Sequence, residues 1–290
     1  MTTRQPAPAP RPSTVLGRRL GAELRRLRGS RTLQQPAASL NCTTSKIVRI
    51  EQGQVPVRDP DLLALLTLYG APDETQPPLL TLAAHDRDRR KHAGWWQHYP
   101  QLGGLLDYIE LEDSATTLRT CQLAFIPGLL QTPDYTRALA TASGGWASTH
   151  DIDRFVEARQ TRQGRLAGTD PLHLHAVVWE AALHQHTGGR HVLHAQLNHL
   201  AASTDLPNVT LQILPFTTDA LAAMPAAFVL LSFTEPGALD VVYLDTPTAH
   251  LWLEHQDDAH RHGTLFTHAA DTALTPAASR TLITRLAKEL

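Results

Sequence analysis

Cysteine is almost missing from this chain of 290 residues: only Cys42 and Cys121 are present. Two thiols cannot supply a disulfide framework or a four-thiolate zinc site, and their scarcity points to a reducing, cytoplasmic setting. Long apolar runs are lacking too. A stretch such as residues 226–231 falls far short of the ~20 residues that a membrane span needs. The opening MTTRQPAPAPRPST holds no apolar segment of the kind a secretory signal carries. Nor is there a His-Glu-x-x-His zinc helix, a Gly-x-Ser-x-Gly elbow, a Walker loop or a dinucleotide-binding glycine fingerprint. Membrane association and the common catalytic frameworks are thereby set aside. No cofactor or metal is called for, and no catalytic residue can be named.

Hydrophobic residues make up 42% of the chain, which is ample for a core and excludes wholesale disorder. The length suits about two domains at roughly 100–200 residues each. The net charge of −2 conceals an asymmetry. Residues 1–58 carry 11 cations against Glu23 and Glu51 and stand at +9, whereas the remainder stands at −11. A basic head on an acidic body suits a protein whose one end meets a polyanion. A solvated arginine face is the plainer alternative.

Residues 1–14 read as a flexible, Pro-rich arm. Residues 15–90 read as an all-α head, and residues 91–290 as an α+β body. Leu16, Leu20, Leu24 and Leu27 form one helical stripe that Gly29 can stop. A short second helix is expected over 33–40 with Thr32 as its N-cap, and Asn41 is suited to the turn that follows. Thr43 is expected to cap a third helix with Ile47 and Ile50 inward, ended by Gly53. Helices over 59–69 and 73–90 follow, the latter troubled by Pro77 and Pro78, and residues 91–115 read as a connector. In the body, strands are expected at 117–125, 172–179, 209–214, 228–233, 241–244 and 250–253. Helices are expected at 134–142, 151–166, 190–202, 256–270 and 276–290.

Two short helices and a tight turn within a basic bundle can offer a recognition helix to the DNA major groove. Thr44, Ser45, Val48 and Arg49 would face bases, and Lys46 either bases or phosphate. Arg18, Arg19, Arg25 and Arg26, with Arg4 and Arg11 of the arm, would contact phosphates.

These segments carry a resemblance. LGAELRRLRG, SKIVRIEQG and DLLALLTLYG, within residues 15–69, resemble the lambda-repressor-like (Xre) helix-turn-helix family. FIPGLLQTPDY, EARQTRQ, WEAAL and LPNVTLQILPF look like the C-terminal domain of a set of actinobacterial regulators, often called antitoxin-like. The excess of arginine over lysine, 23 to 3, fits a GC-rich genome. The resemblance implies a homodimeric regulator of transcription that binds double-stranded DNA, its body sensing a small ligand or a small partner protein.

The second helix departs from the family pattern. Aligned on Gly53, Arg31 replaces an inward leucine, Leu33 replaces the glutamine that meets the DNA backbone, and Pro36 falls near the fourth helical position. One reading keeps DNA binding with altered contacts. The other makes the head a relic kept as scaffold, with a body that has become an enzyme of a specialised-metabolite pathway. In the body, Glu180, Arg159 and Arg162 are weak ligand-binding candidates. Glu180 could equally make a structural hydrogen bond, and the two arginines read better as internally paired. Cys121 reads as packed. IPGLLQTP reads as framework, with Thr132 capping a helix that begins at Pro133. The histidines, 16 in all, invite a metal reading. His191, His194 and His199, however, lie opposite the leucine stripe of their helix, and no metal site is assigned.

Overall fold

The computed structural model describes residues 13–91, 94–218, 226–234, 240–246, 250–253 and 255–290. The arm expected over 1–14, with Arg4 and Arg11, lies outside the described residues except for Ser13 and Thr14. The chain divides into two compact units, Met1–Leu111 and Glu112–Leu290. The first carries 15 Lys and Arg against 10 Asp and Glu, and the second 11 against 18. The head thus keeps a smaller positive excess than its first 58 residues alone.

In the first unit, helix α1 (Val15–Arg28) begins at Thr14, whose hydroxyl accepts the Gly17 N–H at 2.9 Å. Leu16, Leu20 and Leu24 of its stripe are buried, and Gly29 closes the helix at a φ of 57°. Helix α2 (Gln34–Ser39) makes no side-chain cap; Leu33, in helical geometry, precedes it, so Thr32 is not its N-cap. Asn41 takes a φ of 47° in the turn, as expected. Helix α3 (Thr44–Glu51) is capped by Thr43, whose hydroxyl accepts the Lys46 N–H at 3.3 Å, and buries Ile47 and Ile50.

Helix α4 (Asp59–Tyr69) ends on Gly70 in the left-handed region. Helix α5 (Gln76–Arg89) holds Pro77 and Pro78 in its first turn, where no intrahelical N–H bond is lost, so they start the helix and do not break it. One core gathers Leu20 and Leu24 of α1, Ile47 and Ile50 of α3, and Leu62, Leu65, Leu66 and Tyr69 of α4. The connector expected over 91–115 instead contains two short 3-10 turns and helix α6 (Leu105–Ser114). The unit boundary falls inside α6.

The second unit is built on a six-stranded mixed sheet of order β3-β2-β1-β4-β5-β6. Strands β1 (Thr117–Gln122), β2 (His173–Trp179) and β3 (Val209–Leu214) run parallel. Strands β4 (Phe228–Ser232), β5 (Val241–Asp245) and β6 (His250–Leu253) are each antiparallel to the strand before them in the sheet. Parallel pairs need long crossovers. Helices α7 (Pro133–Ser143) and α8 (Thr149–Gln163) lie between β1 and β2 in sequence, and α9 (Arg190–Ser203) lies between β2 and β3. Strand β3 is buried on both faces, all of its residues except Thr210 being buried. Helix α10 (Gln256–Thr272) packs Phe266 and Ala269 onto Cys121, Val177, Phe228, Leu230 and Val242. Helix α11 (Pro276–Glu289) follows it, capped by Thr275.

Candidate nucleic-acid interface

Helix α3 is held from behind. A side chain at Gly21 of α1 would overlap the Glu51 carbonyl, so the glycine lets α1 lie directly against the end of α3. Gly53, at a φ of 68°, meets the backbone of Gly17 and Arg18 just as closely. Arg28 grips Glu51 with two bonds of 2.6 and 3.1 Å and donates to the Arg31 carbonyl at 2.7 Å. One guanidinium therefore ties the end of α1, the turn into α2 and the end of α3 together. A further knot joins Thr14, Asp86 and Arg90, with Arg90 also donating to the Gly53 carbonyl. The result is a rigid support for a short helix, which a motif that must present side chains accurately requires.

Facing outward on α3 and just beyond it are Ser45, Arg49 and Gln52, all exposed and spaced i, i+4, i+7 on one side. Gln52 is not among the residues expected from the sequence, although its spacing from Ser45 and Arg49 places it on their side. Thr44 and Val48 are half-buried flanks of this face. Lys46 is partly exposed, and its Nζ lies 3.6 Å from Asp61 at the start of α4.

The expected phosphate contacts separate in the structure. Arg25 is exposed, and no ion-pair partner for it or for Arg49 occurs among the described residues. Arg58 and Arg31 are exposed as well. Arg19 is half-buried, within Coulombic reach of Glu23. Arg26 pairs with Glu23, which holds the carboxyl below its usual range. Arg18 does not fit its expected role. Its side chain is only 11% exposed; it donates to Ser13 at 2.6 Å and lies 3.5 Å from Asp107.

The departures of the second helix turn out mild. Arg31 stands outside α2 and is exposed, so no charge enters the core. Leu33 packs against the core, and Gln34 and Gln35 beside it are exposed. Pro36 is the third residue of α2 rather than the fourth, inside the first turn. The first helical bond is made by the Ala37 N–H to the Leu33 carbonyl. A proline there removes no intrahelical bond.

In the body, the weak ligand candidates face inward. Arg162 and Glu112 form a bidentate pair at 2.6 and 2.8 Å, both side chains nearly sealed from solvent. Arg159 donates to the Gln131 side chain and lies 4.3 Å from the centre of the Phe155 ring. Glu180 accepts the Phe216 N–H at 2.8 Å, which fastens the chain after β3 to the segment after β2. The FIPGLLQTP and EARQTRQ strings prove to be two halves of one clamp. Gln163 donates to the carbonyls of Gly128 and Gln131 at 3.3 and 2.6 Å. From α9, Gln196 accepts the Thr132 N–H at 2.8 Å and donates to the Leu130 carbonyl at 2.6 Å. Thr132 caps α7 as expected.

Burial pushes the Cys121 thiol up to about 12, which leaves it a packing residue. On α9, His191 and His194 are exposed and His199 half-buried. His175 bonds to Gln212 at 2.7 Å. Among the described residues, no three His, Cys, Asp or Glu side chains are grouped to hold a metal ion. Among them too, no helix is long and apolar enough to cross a membrane.

Residues 19–79 match the model of a family described as a helix-turn-helix domain, and residues 105–285 match that of a domain of unknown function, DUF5753. No curated protein and no solved structure matches the chain.

Proposed function

The chain belongs to the DUF5753 family, the matched domain covering more than half of it, and from that premise we propose that it is a transcriptional regulator whose outward face of α3 reads the major groove of double-stranded DNA. That it carries a helix-turn-helix domain, a DNA-binding kind of module, is plain from its matched segment. The reading rests on one observation: Ser45, Arg49 and Gln52 form an exposed stripe along α3 and just beyond its end, on a helix that Arg28 and Glu51 pin in place. Arg49 has the fork to pair bidentately with guanine, and Gln52 carries the donor and acceptor that adenine offers to meet. Arg25, Arg31 and Arg58 supply phosphate contacts. Lys46 lies beside this face with Asp61 3.6 Å from its Nζ, and the half-buried Arg19 is a further phosphate candidate. The finer affiliation is an Xre-type head with the antitoxin-like body of actinobacterial regulators. It works in the cytoplasm as a homodimer on half-sites about one duplex turn apart. The body answers to a small ligand or a small partner protein.

The enzyme reading draws on the departures of the second helix together with the histidine content. Arg31 and Pro36 leave the core of the head undisturbed, and no observation favours that reading.

A gel-shift titration with DNA upstream of the gene, repeated over a range of salt, tests the proposal. Arg49→Ala should weaken binding by about 1–3 kcal/mol and relax preference at one base pair. Arg25→Ala should weaken all sequences alike and reduce the salt slope by about 1. If both variants match wild type in affinity and slope, α3 is not the reading helix.

A further inference from the structure

Resting on the reading of α3 as the DNA-facing helix, we propose that Asp61 is a positioning residue that holds Lys46 back from the phosphate backbone and thereby sets the salt sensitivity of DNA binding. Lys46 and Arg49 lie one turn apart on α3, yet their charges are treated differently. Arg49 is exposed and has no ion-pair partner among the described residues, whereas the Lys46 Nζ lies 3.6 Å from Asp61 Oδ2. The lysine side chain is 43% exposed and the aspartate 33%, so both reach the surface beside α3.

Asp61 is the third residue of α4, where the positive end of the helix dipole favours an acid, and Pro60 fixes the backbone just before it. Its neighbour Asp59 is answered by Arg87 at 2.8 Å, and Arg87 is tied in turn to the Val57 carbonyl at 2.7 Å. Among the described residues, Lys46 is the cation that pairs with Asp61. A lysine held by Asp61 neutralises no phosphate, so no counterion leaves the DNA on its account, and it adds nothing to the salt dependence that free cations supply. Arg25, Arg31 and Arg58 would then set that dependence, and Lys46 would sit silent beside them.

The consequence runs against the simple expectation that every cation on a recognition helix strengthens binding. The test uses the full chain and a mixed-sequence duplex of about 25 base pairs, with affinity measured from roughly 50 to 200 mM salt. Wild type and Lys46→Gln should give the same slope of log affinity against log salt. Asp61→Asn should steepen it by about 0.9, the value of one more phosphate contact. The double variant Asp61→Asn with Lys46→Gln should return to the wild-type slope, and Asp61→Glu should leave it unchanged. Melting curves taken alongside show whether each variant is folded, and a purely structural aspartate would move those and not the slope. A Lys46→Gln slope that is shallower by about 0.9, with Asp61→Asn like wild type, would overturn the proposal. If wild type shows no salt-dependent binding to DNA, the reading of α3 fails by itself. Elution from a heparin column then decides the ion pair: Asp61→Asn should leave later than wild type and than the double variant, and equal elution overturns it.

Discussion

Head and body use the same kinds of side chain, arginine, glutamine and glutamate within recognisable strings, to opposite ends. In the head, Arg25, Arg49 and Gln52 are exposed while the apolar stripes of α1, α3 and α4 close the core behind them. In the body, Arg159, Arg162, Gln163 and Gln196 point inward and spend their donors on the FIPGLLQTP loop and on Glu112. A polar residue in a motif is thus not by its type a ligand contact. What separates the two cases is whether its hydrogen-bonding groups are already answered within the fold.

The largest test of this contrast is the Arg162–Glu112 pair. Removing one partner takes the bidentate pair from a buried charge, which costs about 3–5 kcal/mol. Arg162→Met should therefore lower the melting temperature by roughly 10 °C, as calorimetry would show. Joint replacement with Glu112→Leu should recover most of that loss, because an apolar pair of similar volume fills the space without stranded charge. Arg49→Ala in the head should change the melting temperature very little, within about 0.5 kcal/mol of stability. If Arg162→Met also melts like wild type, the arginine is not a frame residue and its ligand candidacy revives.

Gln196 comes next. Its amide answers the Thr132 N–H and the Leu130 carbonyl on either side of Gln131, so Gln196→Leu strands two backbone groups at about 1–3 kcal/mol each. Amide hydrogen exchange at residues 128–132 should accelerate in this variant. Unchanged exchange there would mean that the loop is held chiefly by Arg159 and Gln163.

Which of these pairings were legible beforehand follows from how far apart they lie in the chain. Local signals carried well: Thr43 and Thr132 as caps, Asn41 in its turn, and the bounds of α4, β3 and β6. The capping and dipole chemistry behind the helix signals acts within one turn of the chain. Helix α6 escaped notice because Leu106, Tyr108, Ile109 and Leu111 make no single stripe, and Tyr108, Ile109 and Leu111 are all buried. Arg18 lies 3.5 Å from Asp107, a pairing that periodicity cannot show because Asp107 lies far along the chain. Lys46 and Asp61 are separated by a turn and the start of another helix, and Glu112 and Arg162 by a strand and two helices. Periodicity can say that a charge is off the core stripe, but it cannot say which opposite charge will be waiting there.

His199 offers the smallest and most selective probe of the same contrast. It shares α9 with His191 and His194, but it is half-buried where they are exposed. Burial disfavours its charged form and holds its pKa below the ordinary value of about 6.5. In the unfolded chain the imidazole takes up its proton first as the pH falls, so the unfolded state binds more protons over that interval. Stability contributed by the neutral ring is therefore complete above about pH 6.5 and is lost progressively as the pH drops toward the folded-state pKa. Denaturant melts of His199→Asn should show a shallower fall in stability across this window than wild type. The same substitution at His191 or His194 should leave the wild-type pH profile in place. Equal profiles for all three variants would show that the helix face does not separate the buried histidine from the solvated ones.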